Sequence, residues 1–214
     1  MPPQVNVETV AVENIKWLGH DCFAISADGL VIYIDPFKIP KGSPKGDLIL
    51  ITHDHYDHCS PSDVAAVQKE GTEIVCGPDA RGKLSGKINV IAPGKKLTVK
   101  GIEIEAVPAY NIGKKFHPKS NNWMGYIITV KGVRIYHAGD TDLIPEMKTV
   151  KCDIAMLPVS GTYVMTAKEA VEAAKILGAK VYIPMHYGTI VGSAADAEYF
   201  KKQAPGKVIV KSRE

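Results

Sequence analysis

Apolar positions fall mostly into short, strand-length runs closed by turn residues. Asn14 to Leu18, Asp21 to Ser26 and Leu30 to Ile34 read as strands, the last two joined by the turn Ala27-Asp28-Gly29. A fourth apolar run, Leu48 to Ile51, ends in Thr52-His53-Asp54-His55-Tyr56-Asp57-His58. A helix start follows at once, with Ser60 as N-cap, Pro61 at the first helical position and Asp63 at the third, running to about Lys69. Glu73 to Cys76 and Ile88 to Ile91 read as strands around a short helix or loop, Gly77 to Gly86. The hairpin of Leu97 to Lys100 and Ile102 to Val107 shows the clearest two-residue alternation, and Trp123 to Val130 with Val133 to Tyr136 forms another about Lys131-Gly132.

Further on, the strands Asp153 to Val159 and Lys180 to Met185 flank a helix that opens on a Thr166/Glu169 capping box. That helix carries Ala170, Ala173, Ala174 and Leu177 at core spacing and closes at Gly178. A last helix runs from Ser193 to about Lys202, and Lys207 to Lys211 reads as a closing strand. No linker, low-complexity run or charge block divides the chain, so residues 1–214 are expected to form one domain of two β-rich halves backed by helices.

Composition narrows the class without naming a function. A hydrophobic fraction of 45% and a charged fraction of 23% over 214 residues describe an ordinary globular protein, and a net charge of +3 does not by itself argue for a nucleic-acid or membrane partner. Neither a targeting signal at Met1 to Asn6 nor an apolar run of membrane-spanning length is present, so a cytoplasmic location is expected. The four cysteines include no Cys-x-x-Cys pair. Cys59 adjoins His58 near a helix N-terminus, which favours a thiolate, but it reads first as a small packing residue.

The chemistry concentrates at His53, His55, Asp57 and His58. Neutral imidazole and carboxylate suit zinc, manganese or iron. In an extended segment His53 and His55 share a side, and the turn into the helix lets Asp57 and His58 face a second point, an arrangement for two adjacent metals. Asp35, at a strand end, is a candidate partner for a ligating imidazole, and His20, after Gly19, reaches the same rim. His137 reads as core or as a partner of a ligand. The long loop 108–122 carries His117 among Lys114, Lys115 and Lys119, which are either solvated charges or the recognition site of an anionic substrate. Tyr163, at a strand end, is a candidate substrate contact.

His-x-His-x-Asp-His after an apolar strand resembles the signature of the metallo-β-lactamase superfamily. Gly19-His20, Asp35, Gly139-Asp140 and Pro184-Met185-His186-Tyr187-Gly188 follow the family's motif order. The resemblance is to its short single-domain metal-dependent hydrolases, with the lactonase of ascorbate 6-phosphate a more distant relative. It implies a four-layer αββα sandwich and two divalent ions, zinc first, with manganese or iron as alternatives. One ion is expected on His53, His55 and a third histidine, the other on Asp57, His58 and His186, with Asp140 shared. The family's usual place for the third histidine holds Tyr110 and Asn111 here, so His117 is the preferred substitute and the Asn111 amide oxygen the alternative.

The expected activity is hydrolysis of an ester, lactone or phosphodiester in a small molecule, phosphorylated or not, by a hydroxide held between the ions, with Asp57 and Asp140 as catalytic carboxylates. A di-iron redox or metal-binding protein of the same fold is the alternative, and a homo-oligomer stays open.

Overall fold

The structure is a computed structural model describing residues 5–214, so the targeting-signal reading of residues 1–4 lies outside the described residues. A short turn of helix, α1 (Val7–Thr9), capped by the Asn6 side chain and continued as a wider turn over Val10–Asn14, precedes the first sheet and has no counterpart in the sequence reading. That sheet holds six strands in chain order: β1 (Ile15–Gly19), β2 (Cys22–Ala27), β3 (Leu30–Ile34), β4 (Leu48–Leu50), β5 (Glu73–Cys76) and β6 (Lys87–Val90). Neighbours among β1 to β3 are antiparallel and from β3 onward parallel. Of the three parallel steps, β4 to β5 carries α2 (Pro61–Val67) and β5 to β6 carries α3 (Pro78–Arg81) as crossovers.

The second sheet repeats this plan. It comprises β7 (Lys96–Val99), β8 (Ile102–Pro108), β9 (Met124–Val130), β10 (Val133–His137), β11 (Ile154–Pro158), β12 (Val181–Met185) and β13 (Lys207–Val208), antiparallel up to β10 and parallel after it. Helices α4 (Ala167–Leu177) and α5 (Ala194–Gln203) cross between its parallel strands. The closing strand is shorter than expected. Past Ile209, whose N still donates to the Tyr182 carbonyl at 2.9 Å, the chain leaves β12 and returns to the first sheet, where Arg213 bridges Trp17 and its Nε donates to the Leu18 carbonyl at 2.9 Å.

Alternation along β3 and β4 explains the layering. Ile32, Ile34, Leu48 and Leu50 point into the core shared with the second sheet, together with Ile104, Tyr126, Ile128 and Ile135. Tyr33, Ile49 and Ile51 point the other way and pack against Val64, Val67 and Ala80 of α2 and α3. On the far side, Ala170, Ala173, Ala174 and Leu177 of α4 cover the second sheet. Helices, two sheets and helices therefore stack as the four-layer sandwich expected. The Thr166/Glu169 box and Gly178, at φ +61°, cap α4 as read; loss of such an N-cap costs about 1 kcal/mol.

Candidate metal centre

Strand ends from both sheets meet at one rim: the β1–β2 turn with His20 and Asp21, the β3 end with Asp35, the β4 end with His53 to His58, the β10 end with Asp140 and the β12 end with His186. The loop after β8 adds His117. In parallel sheets the space beyond the carboxyl ends of the strands is where ligands are held. Two glycines make the convergence sterically feasible. A Cβ on Gly125 would lie 2.4 Å from the His137 carbonyl oxygen, and Gly139, at φ +64°, bends the chain so that Asp140 faces the rim. Among the described residues nine non-glycine residues have positive φ, and His20, Asp35, Tyr163 and His186 belong to this site. Backbone strain of that kind gathers where surrounding structure enforces a geometry.

The imidazoles are oriented by their outer nitrogens. Thr52 Oγ1 donates to Asp35 Oδ2 at 2.6 Å, so at 3.0 Å it accepts from His53 Nδ1. His58 Nδ1 donates to the same Asp35 oxygen at 2.8 Å. His117 Nδ1 faces two acceptors, Asn111 Oδ1 at 3.1 Å and the Tyr163 carbonyl at 3.2 Å. Ser160 Oγ donates to the Thr162 carbonyl and accepts from His186 Nδ1 at 2.9 Å. In all four rings the proton therefore sits on Nδ1; Nε2 of His58, His117 and His186 presents a lone pair to the common space, and that of His53 accepts from His55 Nδ1 at 3.0 Å. Metal-ligating histidines are held in this way.

The inner atoms fall into overlapping clusters. His53, His55 and His117 bring ligand atoms within 4.8 Å of one another, as do His53, His58 and Asp140, and also His20, His58 and His186. Asp140 lies at the middle, with Oδ2 3.2 Å from Nε2 of both His117 and His186, and Oδ1 3.5 Å from His58 Nε2. Asp57 is held by His20, whose Nε2 lies 3.0 Å from its Oδ2. Seven buried side-chain polar atoms lack a hydrogen-bond partner among the described residues. Six of them are on His20, Asp21, His58, His117 and Asp140. Buried groups are seldom left unpaired without a reason, and a cation at these donors supplies one.

Ionisation follows from burial and mutual charge. Burial raises the Asp140 carboxyl, but the interactions with His186, His58 and His117 beside it outweigh burial and hold it well below the carboxylate range. The same balance, with His20 as the nearest partner, brings Asp57 down to about 2. Burial lowers His53 well below its ordinary value and His20 to about 4, leaving both neutral at pH 7. For His58 burial is outweighed by Asp140 and Asp35, which raise it; the field that favours a proton there also favours a metal cation.

The rim also separates the alternatives left open by the sequence. Asn111 spends its amide oxygen on His117, accepting from both its backbone N–H and Nδ1, while its Nδ2 donates to the Tyr163 carbonyl at 2.7 Å. His117 is thus the group brought to His53 and His55, and Asn111 aims it. His137 is fully occupied in structure: its Nδ1 accepts from Gly139 N and its Nε2 donates to the Asp21 carbonyl. Tyr163 contributes its carbonyl to His117 and its ring to Phe116.

Of the two readings of the loop lysines, the geometry favours paired surface charges over an anion site. Lys114 is paired with Asp142 at 2.6 Å and donates to the Val164 carbonyl, and Lys119 is paired with Glu146 at 2.8 Å. Neither these nor Lys115 lines the cavity of about 310 Å³ over the site, whose walls are Tyr56, Phe116, Tyr163 and Ile190 above His55, Asp57, His117 and Asp140.

Three contributors escaped the sequence reading. Ser160 and Thr52 are ordinary loop and strand-end residues until the fold places them against His186 and His53. Asp21 reads as the start of a strand but is completely buried beside Asp140 and His186.

Cys59, 2% exposed, is a packing residue: burial pushes its thiol up to about 12, and that of Cys76 to about 11. At pH 8 the thiolate fraction of such groups is on the order of 10⁻³ or less. Neither is expected to react with Ellman's reagent in the folded protein, whereas both react in urea; rapid labelling of native Cys59 would show an activated thiol.

The comparisons agree with this geometry. Residues 14–186 match the family model described as the β-lactamase superfamily domain. A metal-dependent hydrolase of Methanoregula boonei is 36% identical over 203 residues, covering 88% of each chain, and one of Thermococcus onnurineus is 35% identical, covering 92% of this chain and 94% of its own. Among solved structures, a Parabacteroides distasonis protein superposes with a TM-score of 0.83 at 37% identity, covering 94% of this chain and 93% of that one. A metallo hydrolase of Ignicoccus hospitalis gives 0.79 at 27%, covering 93% and 94%. With the His-x-His-x-Asp-His turn, Asp140 and His186 at one rim of a four-layer sandwich, and a family match spanning most of its length, the chain belongs to the β-lactamase superfamily, in the company of its metal-dependent hydrolases.

Proposed function

We propose that this enzyme hydrolyses an ester or lactone of a small molecule carrying an apolar or aromatic group, using two divalent ions. His53, His55 and His117 would hold one ion, Asp57, His58 and His186 the other, with Asp140 between them. The observation that carries the reading is the set of three imidazoles, His58, His117 and His186, with Nδ1 tied down and Nε2 aimed at Asp140. Zinc is expected first at the three-imidazole position. Ions so held supply a water acidified from 15.7 toward about 7 and a Lewis acid for the reacting carbonyl.

The chain's own residues supply the rest. Asp57 stays ionised at neutral pH, is aimed by His20 and can orient the attacking water by accepting its hydrogen bond. Asp140, also ionised, offsets the charge of the ions. Trp123, 7% exposed, lies 4.8 Å from the His53 ring and 4.6 Å from His55 and keeps water from that side. The walls explain the choice of substrate. Tyr56, Phe116 and Ile190 are 68%, 50% and 37% exposed, and apolar side chains left open around polar groups mark a binding cleft. With no lysine or arginine among the lining residues, a phosphate has no cationic partner there beyond the metals.

The test is turnover by protein stripped of metal and reloaded with zinc or manganese, offered p-nitrophenyl phenylacetate, p-nitrophenyl acetate, a phenyl-substituted lactone and bis-p-nitrophenyl phosphate. Chelator-sensitive hydrolysis of the aromatic ester or the lactone is the expected result. Phe116→Ala should raise KM for the phenylacetate by about tenfold, the worth of a partly buried aromatic contact, and change the acetate little. Preference for the phosphodiester, or ester cleavage indifferent to chelator, would count against the proposal.

A further inference from the structure

Between β1 and β2 the chain turns through His20 and Asp21. An aspartate in a tight turn ordinarily faces water, where it bonds to its own backbone or to solvent. Asp21 is instead 0% exposed, and neither carboxylate oxygen has a hydrogen-bond partner. Burying a carboxylate in this way is costly unless a charge or donor meets it. The nearest ligand-bearing groups are Asp140, itself a carboxylate, and His186, and all three bring ligand atoms within 4.8 Å of one another. Two carboxylates packed together repel. Asp21 is not a loose side chain that strays there, because its backbone is fixed. The Asp21 carbonyl accepts from His137 Nε2 at 2.9 Å, His137 Nδ1 accepts from Gly139 N, and the His20 carbonyl accepts from His186 N at 3.1 Å. The turn is thereby fastened to the two strand ends that deliver Asp140 and His186.

We propose that Asp21 is a further ligand of the ion held by Asp57, His58 and His186, on the side shared with Asp140. This rests on the metal centre proposed above and goes beyond it, since it makes the two positions chemically unequal. One is built from three imidazoles, His53, His55 and His117. The other gains a third carboxylate, counting Asp57, Asp140 and Asp21 against His58 and His186. Oxygen-rich donor sets favour harder ions such as manganese, and imidazole-rich sets favour zinc. The protein should therefore hold zinc at the first position and accept manganese at the second.

The experiment compares the full-length wild type with Asp21→Asn and Asp21→Ala, read by metal content after equilibrium dialysis against zinc, manganese or both, and by thermal melting in chelator. Wild type is expected to hold two ions per chain, one of each when both are offered. The variants should keep one zinc and lose affinity at the second position by roughly 10- to 100-fold, with manganese binding affected most. In chelator the variants should melt no lower than wild type, because an unpaired buried carboxylate has been removed. Two ions bound with unchanged affinity and preference by the variants overturns the assignment. So does a lower melting point in chelator with unchanged metal binding, which would mark Asp21 as a protonated structural acid bonded to Asp140. If wild type itself binds no metal, the metal centre fails and Asp21's role with it; if wild type binds two ions and the variants do also, only the Asp21 assignment falls.

Discussion

Asp140→Ala is expected to abolish measurable turnover, with kcat/KM for the aromatic ester falling about 10³-fold or more, the scale on which removal of a preorganised electrostatic group acts. Its carboxylate touches three imidazoles from three separate strand ends or loops, so its loss leaves His58, His117 and His186 facing one another with no anion between them. Metal occupancy should fall below two ions per chain. Asp140→Asn keeps the shape and one oxygen but loses the charge, and is expected to retain the fold and part of the metal while remaining at least about 10²-fold slow. A variant that kept both ions and lost less than tenfold would remove Asp140 from the centre of the mechanism. Measuring metal content and kcat/KM on the same samples separates a ligand defect from a purely catalytic one.

Removal of metal should also cost stability on a scale visible in any melting curve. A ligand that binds only the folded state stabilises by about 2.7 kcal/mol when its free concentration is a hundred times Kd. Two such ions contribute roughly 5 kcal/mol, and at about 2–4 °C per kcal/mol for a chain of this size the melting temperature should drop by about 10–20 °C in chelator. The structural reason is that the donors are buried with their inner atoms unpaired, so that without cations the folded state keeps the desolvation cost and loses the compensating charge. Restoration by zinc should follow its concentration, as mass action requires. A chelator-indifferent melting temperature would mean that the histidine and aspartate cluster is held by the fold alone.

The sequence carried the fold in its periodicity. Ile49 and Leu50 alternate between two cores because β4 is buried on both faces, and a strand of that kind shows as an unbroken apolar run. Boundaries slipped by a residue or two where pairing decides them, as at β1, and the closing strand came out shorter because past Ile209 the chain turns away to pair Arg213 with Trp17. The metal-binding turn was legible because His53, His55, Asp57 and His58 are adjacent in sequence. Asp140 and His186 were legible through the family's motif order. Asp21 and Ser160 were not, since nothing local distinguishes a turn aspartate that faces water from one that faces a carboxylate and a histidine. The loop lysines stayed ambiguous for the same reason: Asp142 and Glu146, which neutralise Lys114 and Lys119, lie 27 or more positions away.

The return of the chain to the first sheet bears on the order in which the site is made. Arg213 packs against Gly19 and donates to Leu18, and Glu214 N donates to the Trp17 carbonyl, bracing the turn that carries His20 and Asp21. During synthesis neither cluster is set early: His117 takes one of its Nδ1 acceptors from Tyr163, His186 follows β12, and the turn with His20 and Asp21 is braced only when Arg213 arrives. A rim drawn from both sheets is therefore finished late, by residues far along the chain from the His53 to His58 turn that the rim surrounds.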